Sequence, residues 1–180
     1  MPFALHDVHA FVTPTGRMDI AAEHSFLFAD LVGYTAFTER VGDEAAADVA
    51  VAFQATAARV AADYACDVVK NLGDAVMIHG TDAPRLVAMA VRLRRELLDE
   101  GWCPPLRMGV HTGPAVQREG DWYGSTVNVA ARLTDSAGAG EILMSLTTRD
   151  RVKRRDLTIA ARGARSFKNV TAPLAVFAAA

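Results

Sequence analysis

Apolar and polar positions along this chain switch between the two-residue period of strands and the 3.6-residue period of helices. The run Phe26-Leu27-Phe28-Ala29-Asp30 reads as a short strand. An Ala-rich stretch over about 35–64 follows the helical period, with Val49, Phe53, Ala57 and Val60 on one face. Two β-runs flanking Leu72-Gly73-Asp74 predict a hairpin with Asp74 at its bend. A second amphipathic helix spans about 83–100, with Leu86, Met89, Ala90, Leu93 and Leu97 inward. Arg92, Arg94, Arg95 and Glu96 take its solvent side or flanks. Cys103-Pro104-Pro105 interrupts the chain before a strand over 106–112. A third helix over about 126–136 precedes short strands near 141–144, 157–161 and 174–178. The alternation predicts an α+β domain: one mainly antiparallel sheet, flanked by helices.

Residues 1–24 show little periodicity and contain Pro2, Pro14 and Gly16. They read as an N-terminal leader or linker stub ahead of a domain at 25–180. His6 and His9 stand three apart with no third ligand, so no metal site is expected there. The whole chain, at 180 residues with 51% hydrophobic and 22% charged positions, is long enough for one globular core. Nineteen basic against 21 acidic residues leave a net charge of −2, so no global basic field draws in nucleic acid. The basic cluster at 149–155 reads as solvated surface. Cys66 and Cys103 have no metal or redox spacing, and no apolar run is long enough to span a membrane. No signal peptide pattern opens the chain. A cytoplasmic protein is expected, with neither nucleic acid nor membrane as a partner.

Two aspartates change the picture. Asp30 and Asp74 each sit where an apolar run meets a glycine-marked turn. If their strands are neighbours, both carboxylates emerge near one end of one sheet. Close carboxylates repel unless they share a proton or a cation. Oxygen ligands without nearby His or Cys suit Mg²⁺ or Mn²⁺ and suggest phosphate chemistry. Asp is also common as a helix cap and in turns, so these two sites alone leave both readings open.

Asn128 and Arg132 are four residues apart on the third predicted helix, about 5–6 Å apart at Cβ on one face. Asn offers a donor and an acceptor, and Arg a planar fork of donors suited to phosphate; an ordinary surface pair reads the same in isolation. Asp121 lies seven residues before Asn128, and Lys70 four before Asp74.

Four blocks now stand in order: Phe28-Ala29-Asp30-Leu31-Val32-Gly33-Tyr34-Thr35, Lys70-Asn71-Leu72-Gly73-Asp74, Arg107-Met108-Gly109-Val110-His111-Thr112-Gly113, and 121–132. Together they resemble the class III nucleotidyl cyclases, the adenylate and guanylate cyclase catalytic domains, over about 25–178. The short link from Gly113 to Asp121 is similar to the compact arm of bacterial adenylate cyclases. The resemblance implies a ferredoxin-like palm. It implies two divalent cations, Mg²⁺ or Mn²⁺, on Asp30 and Asp74 with the backbone carbonyl of Leu31 as a further ligand. It makes Lys70 and Asp121 the base-reading pair, Asn128 the ribose contact and Arg132 the stabiliser of charge on the α-phosphate. Lys168 falls where the family places a triphosphate-binding lysine, although Lys-Asn stands here in place of the usual Lys-Gly. Gly33, Tyr34 and Thr35 open the first helix, whose N-terminal N–H groups and dipole suit phosphate oxygens.

A Lys donor and an Asp acceptor complement the adenine edge and oppose guanine, so ATP is the expected substrate. The resemblance also implies a homodimer with composite sites, the metal aspartates from one chain and the remaining groups from the other. The rivals are a guanylate cyclase, a catalytically silent nucleotide-binding domain of the same family, and a ferredoxin-like RNA-binding module. The last needs exposed sheet aromatics and a basic face, and neither is visible.

Overall fold

A computed structural model describes residues 10–12, 18–20 and 22–180. His6 and His9 lie outside the described residues, as does much of the expected leader. Within that leader, β1 (Ala10–Val12) and β2 (Met18–Ile20) pair antiparallel. The order then runs β3 (Glu23–Leu31), α1 (Tyr34–Val41), α2 (Asp43–Asp63), β4 (Asp67–Asn71), β5 (Ala75–Gly80) and α3 (Ala83–Glu100). It continues through β6 (Leu106–Pro114), β7 (Val116–Arg118), β8 (Asp121–Tyr123) and α4 (Ser125–Ser136). Last come β9 (Ile142–Ser145), α5 (Leu146–Arg151), β10 (Ile159–Arg165) and β11 (Leu174–Ala179).

Seven strands form the main sheet in the order β10-β11-β9-β6-β3-β5-β4. Only β6 and β9 pair parallel within it; the other pairs are antiparallel. The predicted α+β architecture, a mostly antiparallel sheet flanked by helices, is the one observed. Strand alternation sorts the side chains between two layers. Leu27, Ala29 and Leu31 of β3, with Val76 and Ile78 of β5, meet Phe53, Ala57 and Val60 of α2 and Leu86, Met89 and Leu93 of α3. Phe26 and Phe28 point the other way, toward Met77, Ala130 of α4, and Trp122 of β8. Asp30 continues that second row.

Local chemistry explains where the elements stop. The helix expected over 35–64 is two helices, because Gly42 takes φ 89°, ψ 159° and breaks the ladder between α1 and α2. The Tyr34 hydroxyl donates to the Ala46 carbonyl at 2.7 Å and braces the joint. On α3, Asp82 caps the N-terminus by accepting from the Arg85 N–H at 3.0 Å, and Gly101 ends the helix at φ 66°. The helix α5 was not anticipated; Ser145 caps it. Part of the basic cluster is structural rather than merely solvated: Arg151 bonds Glu23, and Arg149 lies over the Phe177 ring at 4.7 Å.

Gly109 has a packing role. A Cβ there would stand 2.3 Å from the Thr134 nitrogen and 2.6 Å from the Ala130 carbonyl oxygen. Its missing side chain lets α4 lie directly on β6. Two residues along, His111 begins a hydroxyl chain: Nδ1 to Ser145 Oγ at 2.7 Å, Ser145 to Thr148 at 3.2 Å, Thr148 to Thr112 at 3.1 Å, Thr112 to Ser25 at 2.8 Å. Burial, aided by the charge of Arg151, pushes the His111 imidazole down to about 4. Among the described residues, no helix is long and apolar enough to cross a membrane.

Candidate active site

The end of β3 and the β4–β5 turn bring Asp30 and Asp74 together. Asp30 pairs with Ala75, and the Leu31 N–H donates to the Asp74 carbonyl at 3.1 Å. The turn closes through Leu72 N–H to the Ala75 carbonyl at 2.7 Å, with Gly73 at φ 74°. Gln54 of α2 ties it down by donating to the Gly73 carbonyl, also at 2.7 Å. On the other side of β3, Arg107 is the register partner of Asp30. Its guanidinium donates to Asp30 Oδ2 at 2.6 Å. Burial raises the Asp30 carboxyl above its ordinary value; Arg107 opposes that shift, while Asp74 and Asp135 reinforce it. The block containing Arg107 was legible in the sequence, but this ion pair was not.

Gly33, in the left-handed region at φ 72°, turns the chain from β3 into α1. No side chain caps that helix, so its first-turn N–H groups suit an anion. Because the Tyr34 hydroxyl is committed to Ala46, what Tyr34 can offer a phosphate is its N–H. An open cleft of about 600 Å³ between α1 and the 101–105 segment adjoins Gly33.

Lys70 and Asp121 meet. Lys70 Nζ donates to Asp121 Oδ2 at 2.6 Å, and the Trp122 N–H donates to Oδ1 at 2.8 Å. The Lys70 bond first, then that N–H, hold the Asp121 carboxyl below its ordinary value, so it is ionised at neutral pH. A β-bulge makes the meeting possible. Val68 pairs with Ile78, and a regular ladder would set Lys70 opposite Val76, whose side chain faces α2 and α3. The register shift absorbs Val69 and sets Lys70 opposite Met77, on the face that carries the β7–β8 arm.

Helix α4 buries Val129, Ala130 and Leu133 and leaves Asn128 and Arg132 exposed on its other side. Arg132 donates to Asp135 at 3.3 Å. Lys168 is exposed in the turn between β10 and β11, which Phe167 and Val170 seat on the α4–β9–β11 cluster. The next residue, Asn169, has φ 64°. Asn tolerates that left-handed conformation better than most side chains, which accounts for Lys-Asn where Lys-Gly is usual.

The sequence matches the family model described as "Adenylate and Guanylate cyclase catalytic domain" over residues 18–177. The chain belongs to the class III nucleotidyl cyclase family. It is 38% identical over 138 residues to an adenylate cyclase of Streptomyces griseus, covering 72% of this chain and 35% of that protein. It is 36% identical over 130 residues to the pH-sensitive adenylate cyclase of Mycobacterium tuberculosis, covering 72% of this chain and 32% of that one. This cyclase domain thus spans about a third of the length of the curated relatives it matches. Among solved structures it resembles the adenylyl cyclase CyaB of P. aeruginosa, with a TM-score of 0.77 and 25% identity over 88% of this chain and 93% of that one. The guanylate cyclase domain of RhGC from Catenaria anguillulae, at 18% identity and a TM-score of 0.79 over 89% and 97% of the two chains, shares the fold.

Proposed function

We propose that this domain is an adenylate cyclase, forming 3′,5′-cyclic AMP and pyrophosphate from ATP at a site shared between two copies of the chain. The observation that carries the reading is the Lys70–Asp121 contact at 2.6 Å. An ammonium group bonded to one carboxylate oxygen keeps further donors, and the carboxylate keeps further lone pairs. Side by side they offer a donor to adenine N1 and an acceptor to its N6 amino group. Guanine, with a donor at N1 and an acceptor at O6, faces like groups at both positions. Each such mismatch in a desolvated site costs about 1–3 kcal/mol. The adenylate cyclases of Streptomyces griseus and Mycobacterium tuberculosis support the same substrate.

Asp30 and Asp74 fit a hard divalent cation. They are two like charges at one sheet end, Asp30 is half-buried, and Arg107 supplies one positive charge beside it. Mg²⁺ is commonly held by one or two carboxylates together with substrate phosphates, which matches a carboxylate pair and the Leu31 carbonyl. Two such ions, Mg²⁺ or Mn²⁺, would acidify the ribose 3′-hydroxyl and neutralise the triphosphate.

The 3′-oxygen bonds to the α-phosphorus as the bond to the β-phosphoryl oxygen breaks, and pyrophosphate leaves. The 3′-hydroxyl proton passes to water, a carboxylate or a substrate phosphate. Arg132 meets the charge that grows on the α-phosphoryl oxygens, a preorganised electrostatic contribution. Asn128, one turn earlier on the same helix, orients the ribose. The α1 N–H groups from Gly33 to Thr35, with Lys168, bind the triphosphate. In this reading Asp30 and Asp74 come from one protomer, and Lys70, Asp121, Asn128 and Arg132 from the other.

The test is product formation from ATP and GTP with Mn²⁺ or Mg²⁺, followed against protein concentration. Cyclic AMP whose specific rate rises with concentration is the expected result. Cyclic GMP as the main product overturns the substrate, and full activity from a protein that sediments as a monomer overturns the shared site. Nucleotide binding without either product favours the silent alternative.

A further inference from the structure

The arm that carries Asp121 is a ribbon with only three residues in each strand, and Val116, Gln117 and Arg118 are all exposed. Its turn holds two positive-φ residues, Glu119 at 51° and Gly120 at 82°. A two-stranded ribbon this short has little stability of its own. Something must fasten it to the sheet.

Trp122 does so. Its indole stacks on the His79 ring with centroids 4.5 Å apart and 23° between planes. It also lies 4.3 Å from the His24 ring and edge-on to Phe26 at 5.4 Å. The two imidazoles come from adjacent strands, β3 and β5, and are bonded to each other, His24 Nδ1 to His79 Nε2 at 3.0 Å. One ring must donate and the other accept, so the platform needs an unprotonated nitrogen at that contact. Burial holds both rings below their ordinary value, and for His79 the neighbouring His24 adds to the shift. Aromatic pairs at these separations stabilise the contact beyond their buried area.

We propose that Trp122 is a positioning residue for nucleobase discrimination, its indole seated on the His24–His79 pair so that Asp121 stays in register with Lys70. The inference rests on the reading that Lys70 and Asp121 recognise the base. Trp122 acts at both ends of that link. Its N–H holds one oxygen of Asp121 while its side chain fixes the arm to two strands of the palm. With the indole removed, the backbone bond remains, but the arm that carries it can shift. A shifted acceptor no longer favours the N6 amino group over the O6 carbonyl.

The test compares kcat/KM for ATP and for GTP, with Mn²⁺, in the full chain and in Trp122→Ala, Trp122→Phe, His79→Leu, Asp121→Ala and the Trp122→Ala/Asp121→Ala double variant. Trp122→Ala is expected to lower the ATP-to-GTP ratio about tenfold, since small misplacements of a recognition group cost heavily. Trp122→Phe, which keeps a ring on the imidazoles, should retain most of the ratio. His79→Leu should move it in the same direction as Trp122→Ala, and reports on the platform even if Trp122→Ala does not fold. In the Asp121→Ala background, Trp122→Ala should change the ratio no further. Equal losses toward both nucleotides in Trp122→Ala and His79→Leu, while Asp121→Ala alone shifts the ratio, overturn the positioning role and leave base recognition intact. An unchanged ratio in Asp121→Ala overturns the base-reading assignment itself, and the positioning role with it.

Discussion

Arg107 and Asp30 are direct cross-strand neighbours, and the guanidinium sits 2.6 Å from the carboxylate that the proposed chemistry assigns to a metal. The ion pair explains how two carboxylates can share one sheet end without a bound cation, because Arg107 neutralises the more confined of them. Removing the guanidinium should leave Asp30 and Asp74 in uncompensated repulsion. Arg107→Leu is therefore expected to lose about 1–2 kcal/mol of stability, between the values for exposed and buried pairs. Added Mn²⁺ should raise its melting temperature more than it raises that of the unaltered protein. Equal metal-induced shifts in the two proteins would count against a metal at Asp30.

Asp30→Ala and Asp74→Ala should each abolish turnover while the fold survives, since neither side chain belongs to a hydrophobic cluster. Circular dichroism checks the fold and cyclic AMP formation checks the activity. Near-normal rates in a folded Asp30→Ala protein would rule out its metal role.

Base choice can be inverted in part. Lys70→Glu with Asp121→Gly removes both mismatched contacts to guanine and supplies an acceptor for its N1 proton. The ratio of kcat/KM for GTP over ATP should rise by an order of magnitude or more, given about 1–3 kcal/mol for each polar mismatch relieved. Full guanylate cyclase activity is not expected, because the residues around the proposed base site would stay as they are. An unchanged ratio would sink the assignment.

Complementation tests the shared site. Asp30→Ala keeps Arg132, and Arg132→Ala keeps both aspartates, yet under the proposed arrangement each homodimer would have two broken sites. A mixed dimer rebuilds one complete site, so combining two inactive proteins should restore cyclic AMP synthesis. Mixed dimers that form and stay silent would count against composite sites.

The His111 network gives a pH signature. Its imidazole is held at about 4 in the fold against an ordinary value near 6.5, so the unfolded chain takes up the proton first. The stability this residue contributes is fully present above about pH 6.5 and is lost as pH falls toward 4. At pH 5 the loss comes to about 2 kcal/mol. Urea denaturation of the unaltered protein and of His111→Gln should show that difference in their pH slopes. Identical slopes would mean that His111 titrates normally in the fold.

Close packing under α4 is equally testable. Gly109→Ala forces a methyl group against backbone atoms of Ala130 and Thr134 that cannot swing aside. We expect a loss of about 3 kcal/mol, at the upper end for overpacking. The rate should fall beyond what the lower stability explains, because Asn128 and Arg132 ride on the displaced helix. A stable, fully active variant would show that the helix can relax at no cost to the site.

Much of this was legible in the sequence because the signals were local. The period of α3, the Gly-Asp turn and the four motif blocks each lie within a few residues. What escaped needed register or distant partners. Alternation counted along β4 puts Lys70 on the wrong face, and only the bulge at Val69 corrects it. The Arg107–Asp30 pair depends on how β6 is aligned with β3. The His24–His79 pair under Trp122 joins three segments far apart in the chain. Gly42 was lost inside an otherwise uninterrupted run of helix formers.

The single parallel pairing in the palm has a temporal consequence. β6 and β9 cannot align until the arm and α4 have folded back between them, and closing such a crossover delays pairing. Antiparallel β3, β5 and β4 lie wholly within residues 23–80 and can assemble while later residues are still being synthesised. The aspartates thus belong to the part of the palm that can form early. Arg132 reaches its place when α4 packs on β6, and Lys168 only when β10 and β11 dock. A nascent chain would acquire its carboxylate pair well before the groups proposed to act on the transition state, and catalytic competence would arrive with its C-terminal third.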